Sequence, residues 1–150
     1  MCGITGIVSS KDPFSLSDLE LLNNDIRHRG PDDEGYSVIL DKSEEVVFLK
    51  GKDSSSHSSQ DIRNLKNLRA SVGIAHRRFS IIDTSSAGRQ PFLSDNKSFS
   101  VSFNGEIYNY LELRDELIEL GHGPFKTESD TEVLVKSYEV WGTDCFKKFN

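Results

Sequence analysis

Cys2 stands directly behind the initiator methionine and runs into Gly3, Ile4, Thr5, Gly6, Ile7 and Val8. Removal of Met1 would leave a thiol and a free α-amine on one residue. Such an amine has a pKa of about 8, near neutrality. A base of that strength beside a thiol is what an activated nucleophile requires, and it can later protonate a leaving amine. No Cys/His/Asp arrangement elsewhere in the chain competes for this role. On position alone, Cys2 reads as a small apolar residue at a strand start, so the other reactive residue types must decide. Arg77 and Arg78 form a cationic pair that, taken alone, is a solvated pair beside a strand. Asn104-Gly105 after an alternating run is by itself a hairpin turn. Asp130, by itself, is an acid in the first turn of a helix, where it complements the dipole.

The elements that must position these residues follow from periodicity and turn chemistry. Residues 3–9 read as a strand. Ser17-x-x-Glu20 is a capping-box pattern ahead of Leu19, Leu22 and Ile26 at helical spacing, with Gly30 and Pro31 as the stop. Residues 35–41 and 44–50 suggest a hairpin. Residues 52–60 are serine-rich and nearly free of apolar side chains, which predicts a surface loop with a solvated His57. Residues 70–76 and 79–83 are strand-like, and 98–104 alternates with period two. Asn109-x-x-Glu112 and Ser129-x-x-Glu132 open two helices, stopped by Gly121 and Gly142. The last eight residues predict a short amphipathic helix with Phe146 and Phe149 on one side. Strands precede and separate the helices without a regular βαβ beat, which predicts an α+β fold.

Composition narrows the function classes. The 150 residues suffice for one domain with a core. A net charge of −6 argues against a nucleic-acid partner. No apolar run reaches membrane-spanning length and no secretory signal pattern opens the chain, so no membrane partner and a cytoplasmic location are expected. The two cysteines, Cys2 and Cys145, make no disulfide framework, and Cys145 reads as a packed residue. The four histidines show no metal-ligand spacing, so no metal is expected. Neither GxxxxGK[ST] nor GxGxxG occurs, so the chain carries no phosphate cradle.

Five stretches occur in one order: MCGITGI, RHRGPDDEG, AHRRFSIID, FNGEIYNYLELRDEL and ESDTEV. Together they resemble the glutaminase domain of glutamine-dependent asparagine synthetases, in the N-terminal-nucleophile class of glutamine amidotransferases. The resemblance spans nearly the whole chain. The words HRRFSIID and NGEIYN resemble the asparagine synthetase branch rather than the sugar-phosphate, purine or glutamate synthase branches.

The resemblance implies roles that suit free glutamine as substrate. Cys2 is the nucleophile, and Asn104 and Gly105 supply oxyanion donors. Arg78 holds the α-carboxylate, as a guanidinium fork does best. Phe79, Ser80, Ile81 and Ile82 line the glutamine pocket, with leucine more usual in the place of Phe79. Glu106 completes the binding triplet, and Asp130 pairs with the substrate ammonium. RHRGPDDEG resembles a loop that closes over bound glutamine, which predicts gating.

The implied fold is the four-layer α/β/β/α sandwich of N-terminal-nucleophile hydrolases. The strands that follow the final Phe-Asn in that family are missing, so residues 1–150 are expected to be a partial glutaminase domain. The implied reaction is hydrolysis of L-glutamine through a Cys2 thioester, with ammonia passed to a C-terminal synthetase domain absent from this chain. No cofactor is expected here; ATP and magnesium would belong to that synthetase domain. Aspartate is the default acceptor, and a homo-oligomer is compatible with the sequence. Two other readings stay open: a glutamine-sensing or interaction module without catalysis, and an N-terminal-nucleophile amidase acting on another amide. Arg78 and Asp130 weigh against the second, because they suit a free amino acid.

Overall fold

The computed structural model describes residues 2–55, 59–79 and 88–150. Its main element is a mixed sheet of six strands. Five lie in the order β1 (Gly3–Val8), β6 (Arg69–Arg78), β3 (Asp33–Leu40), β4 (Val46–Lys50) and β5 (Gln60–Asp61), and β2 (Phe14–Ser15) pairs with β6 as well. All pairings are antiparallel except β4 with β5. β6 pairs with β1, β2 and β3, and its small residues Ala70, Gly73 and Ala75 let side chains of α1 and β2 pack closely on its face. A Cβ at Gly73 would lie 2.8 Å from both Leu19 and Phe14 side-chain atoms.

Helix α1 (Leu16–Asp25) covers one face of this sheet. Leu16 and Leu19 dock among Phe14, Tyr36, Val38, Leu49, Ile62, Ala70 and Ala75, which form the first core. The capping box lies two residues before the predicted one. Ser15 Oγ accepts the Ser17 amide at 3.3 Å, and Asp18 Oδ2 accepts the Ser15 amide at 3.1 Å. Docking of Leu16 into the core decides between the two overlapping patterns, because it requires helix from residue 16 onward. Strand alternation places Ser37, His76 and Arg78 on the opposite face.

Against that opposite face lies a two-stranded ribbon of β7 (Phe92–Leu93) and β8 (Ser100–Val101). Ser37 Oγ and Ser100 Oγ are 2.7 Å apart, and His76 Nδ1 is 2.7 Å from Ser102 Oγ. Beyond the ribbon, α2 (Tyr110–Glu119) and α3 (Asp130–Trp141) pack together. Ile107, Leu113, Leu117, Val133 and Leu134 form the second core there. Ser129 caps α3 as expected, its Oγ accepting the Thr131 amide at 3.1 Å. Asn109 heads α2 without a side-chain cap. Its side chain instead donates to Lys148 O at 2.8 Å and accepts the Asn150 amide at 2.9 Å, fixing the final short 3-10 turn, Gly142–Lys147, against α2. Lys148 Nζ sits 4.3 Å from the centre of the Trp141 ring.

The mixed α and β composition agrees with the sequence expectation. The run 98–104 is strand only at Ser100–Val101. Of the predicted strand 79–83, Phe79 lies past the end of β6, and 80–83 fall outside the described residues, as does His57. Among the described residues, no helix is long and apolar enough to cross a membrane.

Candidate functional site

The end of β6 and the start of β1 bring the first group of expected site residues together. Gly3 pairs with Arg77, which sets Cys2 beside the Arg78–Phe79 end of β6. The Phe79 amide donates to Cys2 Sγ at 3.3 Å. Arg29 Nε donates to Cys2 O at 3.3 Å and holds the terminal backbone. Cys2 is half-buried, so its thiol is seated yet reachable. Arg78 is buried, on the same face of β6 as His76. Phe79 is exposed, while Ser80, Ile81 and Ile82 lie outside the described residues.

The segment RHRGPDDEG braces this strand end. Its Asp32 amide donates to Arg78 O at 3.1 Å. Gly30 passes so close to β6 that a Cβ there would sit 2.5 Å from the Arg77 carbonyl carbon, so no other residue fits without backbone movement. Only the first part of the segment lies outside the sheet. Residues from Asp33 onward are strand, and Gly35 pairs with His76.

The second group lies between β8 and α3. Asn104, Gly105 and Glu106 are exposed, with the Phe103 ring packed under Gly105. Asp130, the first residue of α3, is buried, and its Oδ2 accepts the Ile107 amide at 3.1 Å. The expected ammonium-binding carboxylate therefore also anchors the far end of the Asn104–Glu106 stretch. Two hydrogen bonds hold the residues just before this stretch. One is His76 with Ser102. The other is Gln90, whose Oε1 accepts the Phe103 amide at 2.6 Å.

His76 is fully buried, and its Nε2 has no partner among the described residues. Burial, then the nearby positive charge of Arg78, pushes its pKa down to about 4. It is therefore a neutral imidazole at physiological pH, suited to hydrogen bonding rather than to holding charge.

Sequence reasoning missed the network behind the site. Arg77 is not solvated: it is fully buried on the α1 face. Its guanidinium meets Glu34 Oε2 at 3.0 Å and Asp53 Oδ2 at 2.8 Å, and its Nε donates to Asn23 O at 3.0 Å. Glu34 also accepts from Tyr36 Oη at 2.6 Å and from the Asp53 amide at 2.8 Å. Burial beside the Glu34 charge pushes the Tyr36 phenol far up, so it stays a donor. Asp53 is shared with Arg27 Nε at 2.7 Å. Burial raises its pKa, but hydrogen bonds from Arg77 and Arg27 outweigh that and leave it below the usual carboxylate range. The signal was present in strand parity: Arg77 shares its face with Gly73 and Ala75, as Glu34 does with Tyr36 and Val38. Small and apolar neighbours on both strands mark that face as interior.

Among the described residues, no group of histidine, cysteine and carboxylate side chains is arranged to hold a metal ion.

Residues 37–150 match the family described as "Glutamine amidotransferase domain". The chain is 34% identical, over its whole length, to the "Putative asparagine synthetase [glutamine-hydrolyzing] 2" of Methanocaldococcus jannaschii, covering 26% of that protein. It is 34% identical over 99% of its length to the "Asparagine synthetase [glutamine-hydrolyzing] 1" of Bacillus subtilis, covering 19% of it. It is also 32% identical, over 99% of its length, to the "Glutamine--fructose-6-phosphate aminotransferase [isomerizing]" of Sulfurisphaera tokodaii, covering 26% of it. The chain thus spans about a quarter or less of the length of these relatives.

Proposed function

The chain belongs to the glutamine amidotransferase domain family, and on that premise we propose that it hydrolyses L-glutamine to glutamate and ammonia through a thioester on Cys2. The observation that carries this reading is the seat of the thiol. Cys2 Sγ rests against the Phe79 amide, at the strand end that also bears Arg78.

With Met1 removed, the α-amine of Cys2 takes the thiol proton. The sulfur attacks the side-chain amide carbon of glutamine, and the carbonyl oxygen becomes an oxyanion. Asn104 and Gly105 donate hydrogen bonds to it; losing one such donor typically lowers the rate by about 10²–10³. The C–N bond then breaks, and the ammonium formed from the α-amine protonates the leaving nitrogen, releasing ammonia. Water attacks the thioester, frees glutamate and restores the thiol. Arg78 holds the α-carboxylate throughout and Asp130 the ammonium, Glu106 completes the binding triplet with Asn104 and Gly105, and Phe79 to Ile82 line the pocket. The four-layer N-terminal-nucleophile sandwich is the fold in which this arrangement is proposed to sit. The ammonia is proposed to serve a synthetase partner of the asparagine synthetase kind. The likeness to an aminotransferase acting on fructose 6-phosphate leaves the acceptor's identity to that partner.

The test is ammonia release from glutamine by wild type and Cys2→Ala, with intact mass measured on each sample. Hydrolysis should require both Cys2 and loss of Met1. Glutamine binding by Cys2→Ala should persist. Full hydrolysis with Met1 retained would remove the α-amine from the mechanism. Binding without hydrolysis in a Met1-free wild type would mark a sensing module, and release from other amides but not glutamine a different amidase.

A further inference from the structure

The stretch from Ser102 to Glu106 has no strand ladder, since β8 ends at Val101. Its shape is therefore set by single contacts. Ser102 is tied to His76 and the Ile107 amide to Asp130. The backbone immediately before Asn104 is gripped by Gln90, whose Oε1 accepts the Phe103 amide at 2.6 Å. Gln90 is buried, and its Nε2 donates to Thr131 Oγ1 at 3.1 Å. Thr131 is itself buried and fixed, because its amide is bound by the Ser129 cap. The main chain of Gln90 is fixed too. It rests on β3, where a Cβ at Gly35 would lie only 2.3 Å from Gln90 O. Gly35 lies two residue pairs from Arg78 in the sheet, since Asp33 pairs with Arg78 and Gly35 with His76.

Gln90 thus touches three things at once: the sheet that carries Arg78, the helix start that carries Asp130, and the backbone that carries Asn104. Glutamine would be held at its amino-acid end by the first two and polarised at its amide by the third. The span between those ends must be fixed, because a misplacement of about 1 Å costs roughly 10² in rate. We propose that Gln90 is a positioning residue for the glutaminase reaction, setting the oxyanion donors of Asn104 and Gly105 at their working distance from the carboxylate-binding arginine. This rests on the glutaminase reading above. Gln90 touches no reacting atom; it acts through the Phe103 amide.

The inference separates donor placement from substrate binding. Gln90→Met removes the acceptor while nearly keeping the volume. Gln90→Glu keeps an oxygen for the Phe103 amide. Ammonia release is measured on the protein as its host makes it, with kcat expressed per thiol titrated by a diazoketone analogue of glutamine, so that misfolded molecules are not counted. Gln90→Met should lower kcat per titrated thiol by about 10–100-fold, with KM for glutamine within about twofold. Gln90→Glu should recover at least about tenfold of that loss. An unchanged kcat per titrated thiol in Gln90→Met, a parallel rise in KM, or a Gln90→Glu as impaired as Gln90→Met would overturn the positioning role. A wild type that neither titrates nor releases ammonia would overturn the glutaminase reading and this inference with it. That failure is visible before any change at Gln90.

Discussion

Arg77 and Arg78 are neighbours on one strand, yet they belong to two differently built faces. On the α1 face, Tyr36, Val38, Leu49 and Ala75 are at most 1% exposed, and Arg77 has a counter-charge or a carbonyl for every nitrogen. On the other face, Ile4 and Val8 are 43% and 80% exposed, and the contacts are sparse polar ones to the β7–β8 ribbon. The first face shows how a charge is used for structure: buried, paired and saturated with hydrogen bonds. The second carries a thiol seated against a backbone amide, a neutral buried imidazole and, beyond the ribbon, the exposed Asn104 and Gly105.

Arg77→Met should break the first face with the largest effect on stability. It leaves Glu34 charged and buried without its cation, which costs about 3–5 kcal/mol. Denaturant melts should show that loss, and adding Glu34→Gln should recover part of it by removing the stranded charge. An Arg77→Met protein as stable as wild type would erase the distinction drawn between the faces.

His76 gives a pH test of the second face. Its folded pKa of about 4 lies below the unfolded value near 6.5. Between those values the unfolded chain binds the proton and the folded chain does not. The stability due to a neutral His76 is therefore complete above about pH 6.5 and lost as pH falls toward 4, by up to about 3 kcal/mol. Melts from pH 4 to 8 should show this slope, and His76→Gln should flatten it. A slope that persists in His76→Gln would place the titration in another group.

Arg78→Ala should have the smallest expected effect, read at the substrate. A charge-assisted hydrogen bond to glutamine is worth about 1.5–3 kcal/mol, so KM should rise roughly ten- to hundredfold. Cys2 alkylation by iodoacetamide, which needs no carboxylate clasp, should keep its rate. An unchanged KM would move the carboxylate site elsewhere.

The contrast also explains what was legible in the sequence. The helices were, because their caps and stops are local: Ser129, Gly121 and Gly142 act on their own backbone. Gly121 and Gly142 adopt positive φ of 86° and 56°, the left-handed region that favours glycine. The start of α1 was misplaced because Ser15/Asp18 and Ser17/Glu20 satisfy the same local rule, and packing of Leu16 chose between them. Arg77 was misread because charge argues for solvent unless the partner is known, and Glu34 lies 43 positions away in sequence. Gln90 carried no signal at all, since its value lies in bridging Phe103 and Thr131, neither of them near it in the chain. Motif words carried Cys2, Arg78, Asn104 and Asp130 into one list, but only the fold shows that Asp130 also holds the Ile107 amide.

Trp141 is the sole tryptophan of the chain and sits in the second core under Lys148. The chain therefore carries a single tryptophan reporter, set apart from the α1-side core that holds Tyr36. Emission excited at a wavelength beyond the tyrosine absorption band follows the α2–α3 body, where the Lys148 ammonium lies 4.3 Å from the indole centre. Unfolding watched at that wavelength and by backbone circular dichroism would coincide only if both cores melt together. A gap between the two curves would reveal that the layer bearing Cys2 and the layer bearing Asn104 and Gly105 come apart in separate steps.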